Sequence, residues 1–181
     1  MILITGTTGF VGSALGARFL REGRQVLAIS RNDVLGDRSW SAIKQAAEGM
    51  GFSVANLRPN LKVIAFEDLE ADVDHVSEVW HCAAEMTYNY DKILEAMHTN
   101  VGLTAHLYEK VAAEAAGCAR FYYVSTAYTS PMQDEKIEEK LHSTSDFLNS
   151  YQTSKWSAEQ TLANMQKTHG LPITVFRPSI I

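Results

Sequence analysis

Tyr151 and Lys155 stand four residues apart in the stretch SYQTSKWSAEQ, residues 150–160. The stretch reads as an amphipathic helix, where that spacing stacks a phenol and an ammonium on one face. Tyr and Lys both snorkel at surfaces, so the pair alone decides nothing. A second set says more. Gly6, Gly9 and Gly12 form G-x-x-G-x-x-G in TGTTGFVG, directly after an apolar run and opening a helical pattern. In such a turn the first glycine permits the tight bend and the second lets backbone approach a pyrophosphate. The third allows helix and strand to pack closely, while the helix N-terminus offers N–H groups to the anion. Dinucleotide sites of this kind often carry a carboxylate about twenty residues further on, for a ribose 2′-hydroxyl. Here Arg31 stands nineteen after Gly12. A guanidinium at that strand tip would accept a 2′-phosphate, so NADP(H) is expected over NAD(H), with NAD(H) still possible. Asp33, two residues on, and a solvent-facing Arg31 keep the alternative open.

These residues need a frame to hold them. Short apolar runs at residues 1–5, 25–30, 61–66, within 78–84, at 120–126 and at 171–176 read as six strands. Helical patterns lie between them at 9–23, 39–49, about 91–116 and 150–168, the last ending before Gly170. Strands alternating with helices imply right-handed βαβ units. The expected fold is α/β, a doubly wound parallel sheet of the Rossmann type in one domain over residues 1–181. One long polar connection, residues 130–149, reads as a functional loop or a solvated insertion. The chain stops just after the sixth strand, leaving an apolar strand edge uncovered, and a piece of a longer polypeptide is the expectation.

Composition narrows the functions. Of 181 residues, 46% are hydrophobic and 20% charged, as in ordinary globular domains. A net charge of −5 gives no electrostatic footprint for nucleic acid. No apolar run reaches the length of a membrane span, and the N-terminus lacks the basic region of a signal peptide. Cys82 and Cys118 are far apart, with no C-x-x-C, and the six histidines are scattered. A zinc site and a disulfide scaffold are both disfavoured, no metal is expected, and a cytoplasmic location is.

In chain order, TGTTGFVG, Asp68–Leu69, HCAA (81–84), TNVG (99–102), YVST (123–126), Y-x-x-x-K (151–155) and RPS (177–179) resemble the extended short-chain dehydrogenase/reductases. The likeness covers nearly the whole chain. HCAA, VSTAY, YQTSKWSAE and VFRPSII are most similar to the acyl-reducing branch, the fatty acyl-CoA reductases ("male sterility" domains) and terminal thioester reductases.

This resemblance implies roles. Tyr151 would be the general acid–base, and Lys155 would lower its pKa and hold the nicotinamide ribose. The physics is consistent: a free phenol titrates near 10, and a neighbouring ammonium favours the phenolate. Thr126 would hold the substrate carbonyl oxygen, with adjacent Ser125 a second candidate. Asn100, of low propensity in a helix interior, would support the site. Gly6, Thr8, Gly9, Phe10, Val11 and Gly12 would lie at the pyrophosphate and Arg31 at the 2′-position. Asp68–Leu69 would meet the adenine, Ala83–Ala84 the ribose–phosphate and Pro178–Ser179 the nicotinamide amide. His81 would pack within its motif. The resemblance implies NADP(H)-dependent reduction of an acyl thioester or related carbonyl, small-molecule or carrier-bound, with a possible homodimer. A sugar-nucleotide epimerase or dehydratase, or a ketone reductase, shares the same triad. A non-catalytic dinucleotide sensor or scaffold shares only the fold. The substrate pocket would be built mostly by sequence after the sixth strand.

Overall fold

The computed structural model describes residues 1–33, 35–130, 137–143 and 147–179. Six parallel strands form one sheet: β1 (Ile2–Thr5), β2 (Val26–Ile29), β3 (Leu61–Ile64), β4 (Glu78–His81), β5 (Phe121–Val124) and β6 (Ile173–Phe176). Their spatial order is β3-β2-β1-β4-β5-β6. The order reverses beside β1, the crevice where doubly wound sheets hold their ligands. Register places Thr5 opposite both Ile29 and His81, so the glycine turn, the Arg31 loop and the HCAA segment leave the sheet at one level.

Alternation along the central strands builds a core on each face. Ile2, Ile4, Val26 and Ala28 pack with Ala17 and Leu20 of α1 (Phe10–Arg21) and Ile43 and Ala47 of α2 (Asp37–Gly49). On the other face, Leu3, Leu27, Val79, Phe121 and Tyr123 meet helices α4 (Thr104–Glu114) and α5 (Ser150–His169). Over β4–β6, the face on the α1 side carries an aromatic ladder. Trp80 stacks on Tyr122 at 4.2 Å and on Phe176 at 5.7 Å. Phe176 is 42% exposed there.

Two elements differ from the sequence reading. The helix expected over 91–116 is a 3-10 turn at Tyr90–Lys92, a short α3 (Ile93–Met97), a π turn at His98–Leu103, and then α4. The third strand ends at Ile64, and Asp68 and Leu69 lie on a 3-10 turn at Phe66–Ala71. The long polar connection is described at 137–143 and 147–149, while 131–136 and 144–146 lie outside the described residues, as do 180–181 at the end of VFRPSII.

Candidate active site

The glycine turn is built by contact. Gly6 has φ +73°, and a Cβ on it would lie 2.8 Å from the Ala83 nitrogen. A Cβ on Gly12 would lie 2.3 Å from the Gly6 carbonyl oxygen. Both positions exclude any side chain, so this turn, the start of α1 and the HCAA backbone fit against one another directly. Thr8, Gly9 and Phe10 are exposed, no side chain caps α1, and its first turn holds no carboxylate. Open N–H groups therefore face solvent, as an anion site needs. Val11 looks elsewhere, into an apolar groove of about 460 Å³ shared with Leu15, Trp80, Val124, Phe176 and Pro178.

The HCAA backbone is pinned from beneath. The Cys82 and Ala83 N–H groups both donate to Thr5 Oγ1, at 3.1 and 3.0 Å. That leaves the Thr5 hydroxyl proton for His81 Nδ1, 2.7 Å away. His81 Nδ1 thus accepts, and its Nε2–H donates to Thr104 Oγ1 at 2.7 Å. Burial, helped by the Lys155 charge, drops the imidazole to about 3, so it is neutral at ordinary pH. Cys82 beside it is pushed up to about 12 by burial. It is an inert thiol.

At the tip of β2, Arg31 is exposed and its Nη2 lies 3.9 Å from Glu85. Asp33 is turned away from this edge. Its carboxylate accepts from the Arg38 and Ser39 N–H groups and the Ser39 hydroxyl, at 3.0, 2.9 and 2.7 Å, starting α2. Burial pushes Asp33 up, but these bonds outweigh it and hold the carboxyl below its ordinary value. Ser39 Oγ also accepts from Thr7 of the glycine turn at 2.9 Å, tying the β2 loop to that turn. Asp68 is exposed after β3, whereas the Leu69 side chain is buried in the core. Ala83 and Ala84 are half-buried beside the glycine turn. Pro178 is half-buried and Ser179 exposed beyond β6.

Thr126 and Tyr151 come together at the end of β5. Burial raises the Tyr151 phenol, Tyr88 adds to the rise, and a hydrogen bond with the Thr126 hydroxyl opposes it. Tyr88 meets Tyr151 edge-on, with ring centroids 6.1 Å apart. The lowering of the phenol expected from Lys155 is absent, for a geometric reason. Lys155 Nζ donates to the Val124 carbonyl at 2.6 Å and sits 4.1 Å above the Tyr123 ring. The lysine reaches down to the strand, not up to the phenol.

Ser125 also departs from the expectation of a substrate-facing hydroxyl. It is buried and donates to Glu159 Oε1. Asn100 lies in the π turn, 2% exposed. Its Oδ1 accepts from the Glu85 N–H at 2.7 Å, and its Nδ2 donates to the Glu85 carbonyl and Ser154 Oγ, each at 2.9 Å. It therefore fastens the loop after HCAA to α5 one residue before Lys155. Sequence reasoning passed over Glu159, although it continues the Tyr151–Lys155 face at the same four-residue step. It also gave no role to Thr5, Tyr88 or Thr104, which carry no local signal.

The family model for the NAD dependent epimerase/dehydratase family matches residues 2–181. The chain belongs to that family. Similar curated proteins include human fatty acyl-CoA reductase 2, 24% identical over 222 residues, covering 99% of this chain and 43% of the relative. Fatty acyl-CoA reductase 1 of Xenopus laevis is 25% identical over 224 residues, with the same coverage. The chain thus spans less than half the length of the curated relatives it matches. Among solved structures, the terminal R domain of the myxalamid PKS-NRPS pathway superposes with a TM-score of 0.81 at 22% identity, covering 98% of this chain and 48% of that one. UDP-glucuronic acid 4-epimerase from Bacillus cereus, in complex with NAD, gives 0.75 at 21% identity, covering 98% and 55%. At these identities the structural likeness establishes the fold, a Rossmann-type sheet. No helix among the described residues is long and apolar enough to cross a membrane.

Proposed function

We propose that this protein is an NADP(H)-dependent oxidoreductase that reduces an acyl thioester or related carbonyl. The observation that carries the reading is the meeting of Thr126 and Tyr151 at the same sheet edge as the glycine turn. The cradle suits a dinucleotide: Gly6 and Gly12 leave no room for side chains, and the first turn of α1 offers uncapped donors. Arg31 is exposed at the β2 tip, with only a long 3.9 Å pairing to Glu85, while Asp33 is occupied with α2, which favours a 2′-phosphate over a bare 2′-hydroxyl. Arg31 would take that phosphate, the glycine turn the pyrophosphate, Ala83–Ala84 the ribose–phosphate and Pro178–Ser179 the nicotinamide edge. Asp68 and the Leu69 backbone would border the adenine. When bound, the reduced nicotinamide supplies a hydride to the substrate carbonyl carbon.

The chain's own groups handle the oxygen. Thr126 Oγ1 donates to the carbonyl oxygen as negative charge builds there. Tyr151 Oη gives that oxygen its proton and becomes phenolate. A raised phenol is suited to this direction, since it stays protonated through neutral pH. Lys155 sits beneath and would meet the ribose, and Asn100 keeps the β4 loop and α5 in register. A thioester reduced in this way yields a hemithioacetal, which collapses to an aldehyde and a free thiol. The fatty acyl-CoA reductases among the relatives favour this substrate class.

A second reading is a sugar-nucleotide epimerase or dehydratase using NAD, favoured by the family model and by the NAD-bound UDP-glucuronic acid 4-epimerase. Parallel fluorescence titrations with NADPH and NADH separate the two. Tighter NADPH binding that Arg31→Ala abolishes supports the reductase, and NADPH consumption with hexadecanoyl-CoA then tests the substrate. Preference for NADH, unaltered by Arg31→Ala, would overturn the 2′-phosphate assignment and shift weight to the epimerase.

A further inference from the structure

We propose that Glu159 is the positioning residue of this site, gathering Ser125, Thr129 and Arg177 so that Thr126 is held against Tyr151. The inference rests on the reading of Thr126 and Tyr151 as the reacting pair. Glu159 is 1% exposed, on the α5 face that carries Tyr151 and Lys155. A carboxylate so placed needs every lone pair answered. Its Oε1 accepts from the Ser125 hydroxyl, from Thr129 Oγ1 at 3.1 Å and from Arg177 Nε at 3.1 Å. Its Oε2 accepts from Arg177 Nε at 3.2 Å and Nη2 at 2.7 Å, a forked pair.

These donors surround Thr126 in the chain. Ser125 precedes it, and its N–H donates to the Phe176 carbonyl at 2.7 Å. Ala127 follows it, and its N–H donates to the Pro178 carbonyl at 2.8 Å. Thr129 Oγ1 bonds to the Thr126 carbonyl at 3.0 Å as well as to Glu159. Arg177 lies in the segment that supplies the Phe176 and Pro178 carbonyls. One buried carboxylate therefore joins α5, the end of β5 and the strand leaving β6. Thr126, the residue at their junction, accepts the Tyr128 N–H through its own hydroxyl at 3.3 Å, and the same hydroxyl bears on the Tyr151 phenol and lowers it.

The test separates positioning from bulk stability. Glu159→Leu alone strands the Arg177 guanidinium and should destabilise the protein strongly. Glu159→Leu combined with Arg177→Leu removes both charges, keeps the net charge unchanged and should restore the thermal midpoint. Ser125→Ala removes one donor without stranding a charge. Tyr151 is then titrated by NMR in protein labelled at tyrosine Cζ, with Tyr151→Phe assigning the signal. The other groups bearing on the phenol are Tyr88 from the β4 loop and Tyr123 from β5, and neither is altered. In the double variant and in Ser125→Ala, Tyr151 should titrate higher than in the unmodified protein, because Thr126 no longer meets it squarely. NADPH-dependent reduction of hexadecanoyl-CoA should fall about 10²-fold in kcat/KM for the refolded double variant, the loss expected of a misplacement near 1 Å. A stable double variant whose Tyr151 titrates as before, together with an unmoved Ser125→Ala, overturns the proposal. An unmodified protein that ignores hexadecanoyl-CoA would instead sink the reductase reading, leaving the NMR result to decide the role of Glu159.

Discussion

Lys155→Met should make the protein harder to unfold at neutral pH, with an advantage that fades in alkali. Lys155 is 1% exposed, and burial brings its ammonium from 10.5 down to about 7, with Glu159 pulling the other way. At about 1.36 kcal/mol per pH unit, the gap corresponds to about 5 kcal/mol. Between about pH 7 and 10.5 the unfolded chain binds a proton that the folded protein has released, so folding stability rises with pH across that window. Below it both states are charged, and the full penalty applies. Methionine removes both penalty and slope but leaves the Val124 carbonyl without its donor, a pH-independent loss of about 1–3 kcal/mol. The slope is therefore the diagnostic quantity. In urea unfolding at a series of pH values, the difference between variant and parent should shrink by about 2 kcal/mol from about pH 7 to about pH 9. Parallel stability curves across that range would refute the claim that this lysine is held at an electrostatic cost.

Other perturbations test the frame around it. His81 falls from 6.5 to about 3 on folding, so stability should drain away as pH falls from about 6.5 toward 3. His81→Gln, which can accept from Thr5 and donate to Thr104, should lose less over that interval in acid unfolding monitored by circular dichroism. Gly12→Ala places a Cβ 2.3 Å from the Gly6 oxygen and should lower the thermal midpoint and abolish dinucleotide fluorescence enhancement. Gly117→Ala, where a Cβ meets nothing within 4 Å, should leave both unchanged. Tyr151→Phe should remove turnover with NADPH and hexadecanoyl-CoA while NADPH binding persists; turnover at the parent rate would contradict the acid assignment.

The sheet was legible because each strand is a compact apolar run, and the alternation with helices admits few topologies. The turn at Gly6–Gly12 was legible for a different reason, since its spacing encodes steric exclusion that the folded chain then displays. Side-chain direction was not. Lys155 shares a helix face with Tyr151, yet a helix face is broad enough for Nζ to choose the Val124 carbonyl instead. Ser125 and Thr126 are adjacent and chemically alike, both just past the end of β5, and only the opposite directions of successive side chains in extended backbone send the Ser125 hydroxyl to Glu159 while the Thr126 hydroxyl bears on Tyr151. Contacts such as Thr5 with His81, or Asn100 with Ser154, join residues more than fifty positions apart, beyond the reach of any local pattern. The continuous helical period over 91–116 was misleading, since apolar spacing cannot reveal one turn wound wider than its neighbours.

That wider turn, His98–Leu103, behaves as a helix carrying one surplus residue. Deleting a single residue from the turn would thus close the bulge and repair its ladder without turning α3 against α4, yet it would withdraw Asn100 from the wide turn that presents it to Glu85 and Ser154. At this point of the chain, length is a constraint as strict as chemistry: a change of residue type can be repaired by a neighbour, but a change of count cannot.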